Sequence, residues 1–191
     1  MLVLASRSPR RREILQQAGI PFVVRPMGVD ETPLPGEAAR DYVTRIAREK
    51  ARAATTGLSV PGEIVLAADT TVTIQGQILA KPLDAADARR VLHILSGQRH
   101  EVLTGICLRT GSRVIEDCAE TSVWFAPLSP QEIEDYAESG EPMDKAGGYA
   151  IQGLASKFVE RIEGCYFNVM GLPVAMVYRH LRALRGGLPT V

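Results

Sequence analysis

Long apolar runs, an excess of one charge and the familiar phosphate-binding signatures are all missing from this 191-residue chain, and each absence removes a class of function. Met1 to Ala5 is apolar but breaks at once into Ser6-Arg7-Ser8-Pro9-Arg10. A secretory signal needs a longer apolar stretch behind a basic start, and a membrane span needs about twenty apolar residues. Neither pattern occurs, so no membrane partner is expected. Lys and Arg together number 22, as do Asp and Glu, so the chain offers no broad cationic face for DNA or RNA. A local basic pocket stays open. Cysteine is scarce: Cys107, Cys118 and Cys165 are odd in number and widely spaced, with no CxxC pair, and His93, His100 and His180 are equally scattered. That spacing reads as buried reduced thiols rather than zinc ligands and fits a cytoplasmic setting. There is no GxxxxGK[ST] loop, no GxGxxG fingerprint and no GxSxG elbow, which removes the ordinary P-loop, dinucleotide and serine-nucleophile readings.

What is present suits one compact domain over residues 1–191, with 46% apolar and 23% charged residues. Residues 2–5 read as a short buried strand. Ser8-Pro9 opens a helix that stops near Gly19, because serine caps free N–H groups and proline is tolerated at the first helical position. Residues 22–24 form a second strand, and 30–36 an acidic, proline-containing loop. A helix is expected from Glu37 to about Thr55, with Ala38, Tyr42, Ile46 and Ala53 on its apolar side. A strand over 63–68 ends at Asp69-Thr70, and 71–74 and 78–79 flank a turn at Gln75-Gly76-Gln77. Residues 84–95 alternate as an amphipathic helix. Two long strands, 101–110 and 113–125, meet at Gly111-Ser112. A short helix at 130–139 follows, then a glycine-rich stretch, 144–153, with few core residues. A strand at 158–162 and a closing helix at 172–184 complete the pattern, and the tail from Gly186 to Val191 reads as loose. Helices and strands alternate early and a strand pair dominates the middle, which favours an α/β fold with a mixed sheet over a purely parallel one.

Three segments hold more polar chemistry than packing needs. Ser6-Arg7-Ser8-Pro9-Arg10-Arg11-Arg12 puts hydroxyls, guanidinium groups and a helix N-terminus directly after a strand, the combination that binds phosphate. The alternative is a solvated basic first turn, which would oppose the helix dipole. Asp69, at the end of a buried strand in Ala67-Ala68-Asp69-Thr70, could hold Mg²⁺, activate a water or simply cap the strand. Lys81, beside Pro82, could neutralise a phosphate, although most lysines are merely solvated. Carboxylates and cations without a nucleophile suggest attack by water on a phosphate.

Taken in order, LASRSPRRREIL at 4–15, REKARA at 48–53, AADT at 67–70, KP at 81–82, LSGQRHEVLTG at 95–105, GEPMDKAGGYAIQG at 140–153 and GLPV at 171–174 resemble the Maf family of nucleotide pyrophosphatases across nearly the whole chain. The resemblance implies a two-lobed, mixed-sheet α/β fold with a deep central cleft, dependence on a divalent cation (Mg²⁺ or Mn²⁺) and, commonly, a homodimer. It implies that a nucleoside triphosphate is cut to the monophosphate and pyrophosphate. Asp69 matches the family's catalytic proton acceptor and, with Glu31, its metal region. Ser6, Arg10, Arg11, Lys50 and Lys81 match positions around the phosphates, while Arg10 or Arg11, Thr70 and Gln152 match positions tied to substrate choice. DKAGGYAIQG, with Tyr149 and Gln152, is similar to the branch that hydrolyses dTTP and UTP. A glutamine amide offers a donor and an acceptor to a uracil or thymine edge. Gly148 and Ala150 stand where alanine and glycine are common, and Thr71 where a branched aliphatic residue is usual. The rival implied by the family's older name is a nucleotide-binding regulator of cell division or shape with little hydrolysis.

Overall fold

The computed structural model describes residues 1–55 and 62–186; of the tail read as loose, 187–191 lies outside the described residues. Seven strands form one mixed sheet: β1 (Leu2–Leu4), β2 (Phe22–Val24), β3 (Ile64–Ile74), β4 (Gln77–Leu79), β5 (Arg99–Thr110), β6 (Arg113–Phe125) and β7 (Val159–Glu163). Their order is β2-β1-β3-β5-β6-β7, with β4 hydrogen-bonded to the far end of β3. β1 runs parallel to β2 and β3, and every other pairing is antiparallel. The mixed sheet expected from the strand pattern is therefore what forms. The helices are α1 (Pro9–Gln17), α2 (Ala39–Thr55), α3 (Ala85–Leu95), α4 (Pro130–Glu138), α5 (Tyr166–Val169) and α6 (Val174–Leu184).

Side chains alternate across the sheet, and the two faces are covered differently. Leu2, Leu4, Leu66, Ala68, Val102 and Ile106 join the large core beneath α1, α3, α4 and α6. Val3, Ala5, Val65, Ala67 and Cys107 face α2 and meet Ala47, Ala51 and Ala54, with Met27 packed beside them. Small residues on both sides let this helix lie close to the sheet. The buried stripe of α2 is Tyr42, Val43, Ile46, Ala47, Lys50, Ala51 and Ala54. It shares Tyr42 and Ile46 with the sequence reading, but Ala53 is only half-buried and Ala38 precedes the helix. Lys50 thus stands where the helical repeat calls for a core residue.

Two expectations about β3 and the glycine-rich segment are corrected. Asp69-Thr70 does not end a strand: β3 runs unbroken through both, since β-branched residues dominate 70–74 and β5 pairs with it from Val65 to Thr73. What ends there is the neighbour on the other side. β1 pairs only as far as Leu66 and β4 begins at Val72, so among the described residues no strand covers that edge over 67–71. The stretch 144–153 buries Gly147, Gly148, Tyr149, Ala150 and Ile151, although its glycines carry no hydrophobic signal.

Candidate active site

The uncovered edge of β3 opens into a cavity of ≈ 670 Å³. Ser6, Arg10, Arg11, Glu31, Lys50, Asp69, Thr70, Lys81 and Gln152 all line it, so the structure brings every sequence-selected residue to one place. Arg7, Arg10, Arg11, Lys50, Lys81 and Lys145 face it, against the carboxylates of Glu31, Asp69 and Asp144. A chain with no net charge overall therefore concentrates positive charge here. Low-dielectric walls around such a site focus its field on an incoming anion.

Asp69 points to the α2 side of the sheet and is 7% exposed. Lys50 reaches across from α2, its ammonium donating to Asp69 Oδ1 at 2.8 Å and lying 2.6 Å from Glu31 Oε1. One cation thus joins two carboxylates. Burial pushes the Asp69 carboxyl above its ordinary range, and the Lys50 and Arg11 charges oppose but do not cancel it. Glu31 is exposed by comparison: desolvation still pushes it up, but hydrogen bonding to Lys50 and the charges of Lys50, Lys81 and Arg11 bring it below its ordinary range. The same lysine therefore serves two carboxyls of opposite tendency, and the difference is burial.

Glu31 is carried by a loop that α2 holds down. Tyr42 Oη donates to the Glu31 carbonyl at 2.9 Å. Arg45 donates to the Thr32 carbonyl at 3.1 Å and to both Glu37 oxygens at 2.6 and 2.8 Å, keeping the Glu37 carboxyl down at about 2.

The other side of the β3 edge is organised by Arg11. Ser8 caps α1 and Pro9 takes its first turn, as read from the sequence, which aims the start of the helix at the cavity. Arg11 is buried and donates to the carbonyls of Ala68 and Gly171, both at 2.8 Å, to Ser6 Oγ at 3.1 Å and to Thr70 Oγ1 at 3.0 Å. A guanidinium has five N–H groups, so most of Arg11 goes to tying β1, β3 and the start of α6 together. Arg10 is the more available of the pair, bonded to Asp144 through its exposed carboxylate at 3.1 Å and its carbonyl at 3.5 Å. Thr70 also shares a 2.9 Å hydrogen bond with Thr104 on β5. Lys81 and Gln152 are exposed within the cavity.

Tyr149 sits with Gln152 in the segment that marks the pyrimidine branch, but its ring is only 6% exposed. Its hydroxyl shares a 2.9 Å hydrogen bond with His100 Nε2 in the core. The sequence reading passed over Lys145, which bonds Asp144 and the Glu141 carbonyl while facing the cavity, and Tyr42, which anchors Glu31. Lys145 was within reach, since it lies in the same segment as Gln152; Tyr42 gave no signal beyond its place in an apolar stripe.

The donor set suits a small divalent cation. Mg²⁺ is commonly held by one or two carboxylates together with substrate phosphates rather than by an all-protein cage. Glu31 and Asp69 supply such a pair on one ammonium, and among the described residues no group of three or more His, Cys, Asp or Glu forms a cage. No helix among the described residues is long and apolar enough to cross a membrane.

Comparison with known proteins covers nearly the whole chain. The family described as Maf-like protein matches residues 1–184. A dTTP/UTP pyrophosphatase of Anaeromyxobacter sp. (strain Fw109-5) is 54% identical over 193 aligned residues, covering 98% of this chain and 91% of that protein. Another so named, from Koribacter versatilis (strain Ellin345), is 49% identical over 181, covering 95% and 93%. The solved structure of the Staphylococcus aureus Ham1 protein shares the fold, with a TM-score of 0.55 at 15% identity over 95% of this chain and 98% of that one. The chain belongs to the Maf family.

Proposed function

We propose that this protein hydrolyses dTTP and UTP between the α- and β-phosphates, releasing the nucleoside monophosphate and pyrophosphate. The observation that carries the reading is a buried carboxylate, Asp69, held by Lys50 at the floor of a cavity rich in cations. Relatives about half identical to this chain carry that activity in their names.

A triphosphate brings about four negative charges, and their stabilisation is the largest need of the transition state. Ser6, Arg10, Lys81 and Lys145 face the space where the phosphates would lie. Arg11 adds positive charge but mainly holds the cavity's frame. Asp69 accepts a proton from the attacking water, whose oxygen bonds to the α-phosphorus. The bond from that phosphorus to the bridging oxygen breaks, and pyrophosphate leaves with the oxygen. A buried carboxylate at the cavity wall is the group placed to take that proton. Lys50 keeps the carboxylate in place. Glu31 and Asp69 would hold the divalent cation, which when bound supplies charge neutralisation at the phosphates. Gln152 offers its amide to the pyrimidine edge. A cytoplasmic setting, where nucleotide pools are found, fits this reading.

Purified protein supplied with Mg²⁺ or Mn²⁺ and each nucleoside triphosphate in turn tests it. The expected products from dTTP and UTP are monophosphate and pyrophosphate. Orthophosphate as the first product, or no turnover of either by folded protein, contradicts it.

A further inference from the structure

Gln152 makes no hydrogen bond among the described residues, yet the backbone that presents it is held at both ends by one pair of side chains. Residues 150–153 make a tight turn closed by the Gly153 N–H on the Ala150 carbonyl at 3.0 Å. Where the chain enters the turn, the Ala150 N–H donates to Tyr136 Oη at 3.3 Å. Where it leaves, the Leu154 N–H donates to Glu141 Oε2 at 3.0 Å. Tyr136 Oη in turn donates to Glu141 Oε1 at 2.8 Å. Neither side chain is among those lining the cavity.

Each member of this pair is itself fixed. Tyr136 lies on α4, which opens with a capping box between Ser129 and Glu132, and its ring is 3% exposed, edge-on to Phe158 at 5.5 Å. Glu141 fits against Gly153 because no Cβ is there: one would stand 2.3 Å from Oε2 and 2.6 Å from Oε1. The carboxylate is seated where only a glycine backbone leaves room, and both of its oxygens have a donor.

We propose that Tyr136 and Glu141 are positioning residues that set the base selectivity of the cavity by clamping the turn that carries Gln152. The proposal rests on the reading of Gln152 as the residue that meets the pyrimidine edge. A polar contact discriminates between bases only if the amide is held in register with the edge it reads, since a misplaced amide pairs equally poorly with each. Loosening the clamp therefore equalises uracil and cytosine nucleotides while leaving the phosphate end of the cavity untouched.

Calorimetric binding of the α,β-imido analogues of UTP and CTP, with imidodiphosphate as a probe of the phosphate end alone, tests this. Gln152→Ala is expected to lower the UTP-to-CTP affinity ratio about tenfold, the scale of one well-placed polar contact. Tyr136→Phe, which keeps the ring and its packing, should lower the ratio to within about twofold of that value and leave imidodiphosphate affinity unchanged. Glu141→Gln, with one carbonyl acceptor in place of two carboxylate oxygens, should fall between wild type and Tyr136→Phe. Adding Tyr136→Phe to Gln152→Ala should lower the ratio no further. A ratio that drops in Gln152→Ala but stays at the wild-type value in Tyr136→Phe and Glu141→Gln overturns the clamp and leaves Gln152 as a base contact. A ratio unchanged in Gln152→Ala overturns the base contact and the clamp with it. Weaker imidodiphosphate binding with an unchanged ratio in the two clamp variants makes the pair merely structural and overturns the proposal.

Discussion

Gly105 and Val43 touch where α2 crosses the sheet: a Cβ on Gly105 would stand 2.4 Å from the Val43 carbonyl oxygen. Gly105 is the register partner of Asp69, and Lys50 lies about two helical turns beyond Val43 on the same buried stripe. The missing side chain on β5 therefore sets how near α2 lies, and with it how Lys50 meets Asp69. Gly105→Ala is expected to push the helix outward, costing about 1–3 kcal/mol by overpacking. Urea unfolding measures that loss, and turnover at saturating substrate should fall with it. A variant as stable and as active as wild type would show that the close approach is not needed.

Lys50 and Asp69 should behave as one unit. Lys50→Met leaves a buried carboxylate without its cation, an effect of about 3 kcal/mol when a buried pair is broken from one side. Combining it with Asp69→Asn should cost less than the two single changes added together, because the charge that needed Lys50 is gone. Additive losses in chemical unfolding would mean that the 2.8 Å contact carries no coupling.

Asp69→Asn should lower turnover of UTP by about 10²–10⁴, the range for a lost general base, while the amide oxygen still accepts from Lys50 and the protein stays folded. Glu31→Gln is expected instead to raise the Mg²⁺ concentration that gives half-maximal rate, and chelation should abolish turnover in wild type. A Glu31→Gln enzyme with an unshifted Mg²⁺ requirement removes Glu31 from the metal-holding role.

His100 makes the fold sensitive to acid. It is wholly buried beside Tyr149, and burial pulls its pKa from 6.5 down to about 4. The unfolded chain therefore takes up a proton before the folded one does. Stability is full above pH 6.5 and falls as the pH drops from there towards 4. Between pH 7 and pH 5 this one group should remove about 2 kcal/mol. Urea midpoints at the two pH values, in wild type and His100→Gln, measure it: the variant, weaker at pH 7, should lose less on acidification. An equal loss in both would show that His100 does not govern the acid response.

The elements with local signals were legible in the sequence. Ser8-Pro9 marks the start of α1 because capping chemistry is local, and the turn at Gln75-Gly76 needs only the two residues at its corner. Asp69 was legible as chemistry but not in its placement. Its opening arises because β1 pairs with β3 only as far as Leu66, a pairing between segments far apart in sequence that no local pattern carries. The buried glycines 147 and 148 were invisible for the opposite reason, since their burial comes from backbone packing against Val72 and Pro82 rather than from any apolar side chain. The candidate site residues were found through ordered motifs. What the motifs could not tell is that Arg11 is largely engaged in holding the frame while Arg10 remains available, since both are arginines on the same turn.

The most direct test of the central claim is hydrolysis of UTP in ¹⁸O-labelled water with both products weighed by mass spectrometry. Attack at the α-phosphorus predicts one labelled oxygen in UMP and unlabelled pyrophosphate. Label in the pyrophosphate, or orthophosphate in place of it, would contradict the account.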